Sequence, residues 1–197
     1  MKGYRIVFLF SFIVFNTISS FAQQISRSEM ITLYQSIASK NWDSSFNVAS
    51  DILQKYPNDT SDNKSITNYA AILSASGRVA QSNMSYTALR EFLWQFMGKK
   101  ILLPAHQVTT DTTSTINMLV LKENDAQIFA TSVAKDFKVN TILSVENFEF
   151  KEPFDIHKYN GLKARCGGRI YHIEVNKYRD DIWILRLFLN EAELRKL

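Results

Sequence analysis

The segment Leu89-Arg-Glu-Phe-Leu-Trp-Gln-Phe-Met-Gly-Lys-Lys-Ile-Leu-Leu103 contains the point at which the hydrophobic period of the chain changes. Before Gly98, apolar residues recur at the three- and four-residue intervals of one helix face: Leu89, Phe92, Leu93, Phe96 and Met97. From Lys99 onward the period falls to two, which is typical of strands. Gly98 can close the helix because glycine adopts left-handed backbone conformations at little cost. The sequence therefore predicts a helical domain over residues 23–98 and an antiparallel β domain over residues 99–197.

The composition excludes several classes of protein. The chain has 197 residues, of which 46% are hydrophobic, and it contains one cysteine. A disordered chain is excluded because this apolar content can fill a core, and an internal disulfide needs a second cysteine. The formal net charge of +4 is weak for a protein whose partner is a polyanion.

Residues 1–22 have the organisation of a secretory signal peptide. Lys2 and Arg5 precede a short apolar stretch over residues 6–15, and Ser20-Phe-Ala22 provides a cleavage motif. The stretch falls short of the roughly 20 apolar residues that span a bilayer, although an uncleaved anchor remains the alternative. We therefore expect cleavage after Ala22, a periplasmic or extracellular location and no transmembrane segment in the mature chain. Loss of two basic residues leaves 21 basic against 19 acidic side chains, a net charge of about +2.

Four amphipathic helices are predicted before Gly98. Ser26-Arg-Ser-Glu29 has the form of a capping box, in which the serine and glutamate side chains bond to each other's backbone N–H groups. Asp43 is expected to cap the second helix, and Pro57 prevents that helix from continuing. Gly77 is expected to end the third helix in a left-handed conformation.

The turn residues of this half resemble tetratricopeptide repeats. The resemblance covers residues 26–98 and rests on Asn41-Trp42 at the first turn, Tyr56-Pro-Asn-Asp59 after the second helix, and Gly77 at the second turn. Asn41 and Gly77 lie about 36 residues apart, close to the length of one such repeat. The resemblance implies two antiparallel helical hairpins that pack on the second half. An unrelated bundle of four helices is the alternative, because apolar residues at helical spacing show that one face of a helix is buried but do not identify a family.

The second half is expected to form five to seven antiparallel strands. Residues 122–126 have the composition of a hairpin turn with Asn124-Asp125 at its tip, and Gly167-Gly168 is expected to form a two-residue turn. Residues 190–197 are expected to form a short helix or a tail. This pattern is similar to a small barrel of the OB or SH3 type, or to a curled sheet covered by the helices.

No catalytic residue, metal site or cofactor is expected. The hairpin around Gly167-Gly168 would place Cys166 and His172 on opposite faces, so the imidazole could not take the thiol proton. His106, His157 and His172 are too far apart in sequence for a zinc motif. Cys166 is therefore interpreted as a buried structural residue.

The leading functional hypothesis is a secreted or periplasmic, non-enzymatic protein-interaction module of unidentified partner. Paired amphipathic hairpins commonly offer binding surfaces, and four aromatic residues are the candidate partner surface: Trp42, Tyr56, Tyr69 and Tyr86. The first alternative is binding of a small ligand or polyanion by a basic face of the β domain, with four candidate residues: Lys163, Arg165, Arg169 and His172. The second alternative is an enzyme whose catalytic groups converge only in three dimensions.

Overall fold

The computed structural model describes residues 24–113, 116–176 and 182–197, so the predicted signal peptide lies outside the described residues. Four α-helices precede seven β-strands, which confirms a mixed α+β fold that changes character at Gly98. The helices are α1 (Arg27–Ala38), α2 (Trp42–Lys55), α3 (Asp62–Ala80) and α4 (Tyr86–Leu93), followed by a 3₁₀ helix at Trp94–Phe96. The strands are β1 (Lys100–Leu102), β2 (His106–Thr109), β3 (Met118–Asn124), β4 (Gln127–Asp136), β5 (Thr141–Glu149), β6 (Lys163–Val175) and β7 (Trp183–Lys196).

Helix boundaries follow local capping chemistry at most positions. The predicted capping box is present, since Ser26 N donates to Glu29 Oε2 at 2.9 Å and Glu29 N donates to Ser26 Oγ at 3.3 Å. Asn41, rather than the expected Asp43, caps α2 by accepting from Ser44 N at 3.1 Å. Gly98 has φ +73°, the left-handed conformation expected where the helical half ends.

The predicted end of the third helix at Gly77 is wrong. Helix α3 continues to Ala80, and Gly77 lies inside it, buried against the indole ring of Trp42. A Cβ atom at position 77 would lie 2.2 Å from a ring atom of Trp42. Glycine is needed here for the close approach of a side chain from α2, and the turn to α4 comes later, at residues 81–85.

The strands form one sheet with the order β1-β6-β2-β3-β4-β5-β7 and a further pairing between β6 and β7. The pairings β6–β2–β3–β4–β5–β7–β6 thus return to their starting strand. Two of them, β2 with β3 and β5 with β7, are parallel, so the expectation of a wholly antiparallel sheet is wrong. Strand β6 lies between β5 and β7 in the chain, whereas β2 and β3 are consecutive strands separated by residues 110–117, so neither parallel pair is joined by a tight hairpin turn.

The predicted hairpin at Gly167-Gly168 is also wrong, because both glycines lie inside the continuous strand β6. A Cβ atom on Gly167 would lie 2.8 Å from the carbonyl oxygen of Ile101, and one on Gly168 would lie 3.0 Å from that of Asn190. These glycines admit neighbouring backbone on β1 and β7. The chain end is not a helix or a tail, since β7 runs to Lys196 and pairs with β6.

One hydrophobic core spans the helices and the sheet. Helix α3 lies at its centre, and every residue from Ser65 to Gly77 is buried. The helix packs against α2 on one side and against β1 and β5 on the other. The helices therefore cover the sheet, and their junction with β1 and β6 leaves an open cleft. Within the described ranges, no helix combines the length and the apolar character needed to cross a membrane.

Candidate functional site

An open cleft of about 680 Å³ lies where the α2–α3 connection meets the 3₁₀ helix, β1 and β6. The charged side chains that line the cleft are mostly positive: four are cationic and one is a carboxylate. The cations are Lys64, Lys99, Lys100 and Arg169, and the carboxylate is Asp59. Lys99 and Lys100 are neighbours in the chain, but Asp59, Lys64 and Arg169 come from other turns or elements, so the tertiary fold brings these groups together.

Lys64 provides the deepest positive charge of the cleft. Its Nζ donates to the backbone carbonyl of Tyr56 at 2.6 Å and to that of Leu53 at 3.2 Å. Burial lowers the pKa of Lys64, and the nearby charge of Lys99 lowers it further, against the opposing effect of Asp59. Lys64 is therefore a partly desolvated cation, and burial is the main cause of its lowered pKa.

The carboxylate of Asp59 accepts hydrogen bonds from two backbone N–H groups. Its Oδ2 accepts from Ile25 N at 2.8 Å, and its Oδ1 accepts from Ser61 N at 2.7 Å. Burial works to raise the pKa of Asp59, but these hydrogen bonds outweigh it and hold the pKa below the ordinary value. Both oxygens thus hold the chain around α3, and the charge of Lys64 nearby also lowers the pKa of Asp59.

The cations at the rim are paired to acidic residues of β7. Lys100 Nζ lies 2.8 Å from Glu193, and Arg169 Nε lies 3.0 Å from Glu191 while its Nη1 donates to the carbonyl of Gly98 at 2.7 Å. Lys99 is exposed, and within the part of the chain that the structure describes it forms no ion pair. Lys99 and the remaining donors of Lys64 are the positive groups that an anion could engage.

The structure does not bring the four predicted ligand residues into one hollow. Arg169 lines the cleft, whereas His172 lines a separate hollow of about 280 Å³ beside Trp94. Lys163 is exposed at the start of β6, and Arg165 is half-buried opposite Arg195 of β7. The predicted hairpin would have grouped these basic side chains on one face of the sheet. They are not grouped because β6 is one continuous strand, and its pairing register with β7 is irregular.

The four aromatic residues predicted as a partner surface belong to the interior. Trp42, Tyr56 and Tyr69 are buried and Tyr86 is partly buried against the core. Their polar atoms bind acidic side chains: Trp42 Nε1 donates to Asp136 at 2.9 Å, and Tyr56 OH donates to Glu29 at 2.8 Å. These rings stabilise the fold and do not form an exposed apolar patch.

Sequence reasoning missed Glu146, a fully buried carboxyl group between α3 and the sheet. Tyr69 OH donates to its Oε1 at 3.0 Å, and the hydroxyl of Ser144 donates to the same oxygen. Burial, the largest cause, raises the pKa of Glu146 to about 7, although the hydroxyls of Ser144 and Tyr69 oppose the rise. The available signal was the alternation Ser144-Val-Glu-Asn-Phe148, which puts Glu146 on the same side as the buried Phe148.

Cys166 is buried, and burial raises the pKa of its thiol well above the usual range. His172 is exposed on the same strand and lies 3.6 Å from Glu174. Among the described residues, no group of three or more histidine, cysteine, aspartate or glutamate side chains could hold a metal ion.

Comparison with known proteins adds no family to these observations: no family model, curated protein or solved structure matches the chain.

Proposed function

We propose that the protein binds an anionic ligand, through carboxylate or phosphate groups, in the cleft between the helices and the sheet. The observation that carries this proposal is that, among the described residues, two of the four cations in the lining have no acidic partner in an ion pair: Lys99 is exposed, and Lys64 binds backbone carbonyls. Asp59 makes its hydrogen bonds to backbone N–H groups, and its single charge balances at most one of the cations. A bound anion would supply the missing partner.

The arrangement suits anions for two physical reasons. Lys64 is held in a partly buried position where the effective dielectric is lower than in water, so its attraction for an anion is stronger than that of a surface lysine. Arg169 presents a planar fork, which is the geometry that binds carboxylate and phosphate oxygens in pairs. Its ion pair with Glu191 is exposed and therefore weak enough to exchange for a ligand.

The test is titration calorimetry of the full chain with inorganic phosphate and with citrate at low and high salt. We expect salt-sensitive binding that Lys99→Gln and Arg169→Gln each weaken by about tenfold, the effect of losing roughly 1.4 kcal/mol. Lys122→Gln is the matched control, because Lys122 is an exposed lysine of β3 that lies outside the cleft. Binding that is absent, insensitive to salt or equally weakened by Lys122→Gln would refute the proposal.

Protein interaction, the function favoured from sequence, remains a second candidate. It is supported by Trp94, whose side chain is 70% exposed beside the small hollow that Arg90 and His172 also line. Exposed tryptophan and arginine are the residues enriched at binding hot spots. A photo-crosslinker at position 94 should then capture one specific protein in the native envelope, while the same group at exposed Ile31 should not.

Three further proposals come from the sequence and its elements. Residues 1–22 direct the chain to the periplasm or the outside, and the mature protein should begin at Gln23, which N-terminal mass spectrometry would test. The circuit of strand pairings supports a small barrel of the OB or SH3 type. The tetratricopeptide-like character of residues 26–98 is supported by Asn41 and Pro57 at the ends of α2. Gly77 does not support it, because this residue lies inside α3 and not at a turn.

A further inference from the structure

The turn between β4 and β5 presents apolar side chains to solvent at one end of the sheet. Phe137 is 59% exposed and Val139 is 38% exposed. Ile182, 68% exposed, lies at the same end, because its carbonyl accepts from Ile142 N at 2.7 Å at the start of β5. We call Phe137, Val139 and Ile182, together with the lysines around them, the β4–β5 tip.

Two lysines lie over the Phe137 ring and a third follows it in the turn. The Nζ atoms of Lys40 and Lys135 lie 5.7 Å and 5.5 Å from the centre of the Phe137 ring, and Lys138 is exposed in the turn itself. The carboxylate of Asp136 is buried and lies 3.0 Å from Lys40. Among the described residues of this tip, three lysines stand against one aspartate, and Lys40 alone is paired with it.

The tip is held rigidly by the same aspartate. Asp136 accepts from the indole of Trp42 at 2.9 Å, from Lys40 at 3.0 Å and from the backbone N–H of Lys138 at 2.9 Å. These contacts tie the turn to the junction of α1 and α2. Phe137 is therefore exposed by a fixed backbone, so its presentation to a partner costs little conformational entropy.

We propose that the β4–β5 tip docks the protein peripherally onto an anionic lipid surface. Apolar side chains would enter the headgroup region while the lysines contact lipid phosphates, the combination by which peripheral proteins bind membranes. A protein partner fits less well, because lysine is depleted at the centres of protein interfaces and a stable interface needs roughly 800 Å² from each partner. Three apolar side chains on a narrow turn do not provide that area.

The experiment is co-sedimentation of the full chain with vesicles of phosphatidylcholine alone or mixed with phosphatidylserine. We expect binding to the mixed vesicles only, weakened by added salt. Phe137→Ser should weaken it by at least about tenfold, because burying a phenylalanine stabilises by roughly 1.5 to 3 kcal/mol. Lys135→Gln and Lys138→Gln should each weaken it by about fivefold, from about 1 kcal/mol per lysine near the surface.

Matched controls separate this tip from general surface character. Ile31→Ser removes an exposed apolar residue of α1, and Lys122→Gln removes an exposed lysine near the other end of β4; neither should change binding. Lys99→Gln should also leave it unchanged, so failure here and failure of the anion-binding cleft are distinguishable.

A second measurement reports the insertion directly. A polarity-sensitive dye on Phe137→Cys should shift on vesicle addition, whereas the same dye on Ile31→Cys should not, and buried Cys166 will not compete for the label. The proposal is overturned if vesicles are not bound, if uncharged vesicles bind equally, if the tip variants match the controls, or if the dye at position 137 stays in water.

Discussion

Replacement of Glu146 by glutamine should remove a pH-dependent loss of stability. Glu146 is fully buried, and burial raises its pKa from 4.5 to about 7. The folded state thus holds a proton that the unfolded chain releases. Glu146 contributes its full stability below about pH 4.5, and the contribution is lost as pH rises through about 7.

The size of the effect follows from this difference in pKa. A shift from 4.5 to about 7 corresponds to about 3 kcal/mol at roughly 1.4 kcal/mol per pH unit. Glutamine keeps the shape of the side chain and does not ionise. The variant should therefore gain about 2 to 3 kcal/mol relative to the natural chain between about pH 5 and about pH 8, or roughly 5 to 10 °C in Tm.

Urea unfolding followed by tryptophan fluorescence, with both chains at each pH, measures this difference. Other carboxyl groups titrate in both chains, so comparing the two chains isolates Glu146. A carbon-13 titration of the Glu146 carboxyl group should also give a midpoint near 7. The reasoning would be refuted if the free energy of unfolding changed with pH in the same way in both chains. It would also be refuted if the carboxyl group of Glu146 titrated near the ordinary value of 4.5.

Three further changes probe the contacts that join distant parts of the chain. Gly77→Ala should destabilise by about 1 to 3 kcal/mol because its Cβ would meet the Trp42 ring, although alanine favours helix by about 1 kcal/mol; a higher Tm would contradict this. Asp136→Asn should cost about 2 to 3 kcal/mol in urea unfolding, since the charged acceptor of Lys40 and Trp42 is lost, and an unchanged midpoint would disprove it. Cys166 should react with a thiol reagent only as fast as the chain opens, because its buried thiol has a raised pKa; immediate labelling of the folded protein would show otherwise.

Local chemistry explains which elements could be predicted. The capping box at Ser26 and the hairpin between β3 and β4 are built from neighbouring residues, and both are confirmed, although the tip of the hairpin is Asp125-Ala126 and not the expected Asn124-Asp125. Asp125 and Ala126 have positive φ at the tip of that hairpin, as a tight turn requires. A helix cap and a tight turn each involve only a few neighbouring residues, which can adopt few other conformations, so a short sequence pattern is enough to predict them.

The glycines show why the remaining elements were misread. Gly77 and Gly167-Gly168 were predicted as a helix end and a turn, but each accommodates an atom from elsewhere in the chain: the Trp42 ring and the carbonyls of Ile101 and Asn190. A glycine that permits a turn and one that permits a close approach look alike in sequence. Only the position of the distant atom distinguishes them.

The candidate cleft shows the same limit for function. Arg169 was among the predicted ligand residues, but Lys64 and Lys99 were not, because they lie far from it in sequence and no motif relates them. The aromatic residues were assigned to a surface because a helical stripe does not reveal how many sides of a helix are covered. Helix α3 is covered on nearly all sides, so Tyr69 lies inside.

The sequence by itself determined the change from helices to strands at Gly98, the first helix cap and one hairpin, because periodicity and capping act over a few residues. The tertiary structure alone decided the parallel strand pairings, the burial of Glu146 and the convergence of lysines from separate elements. These depend on contacts between residues distant in the chain, whose free energies arise only when the elements have packed together.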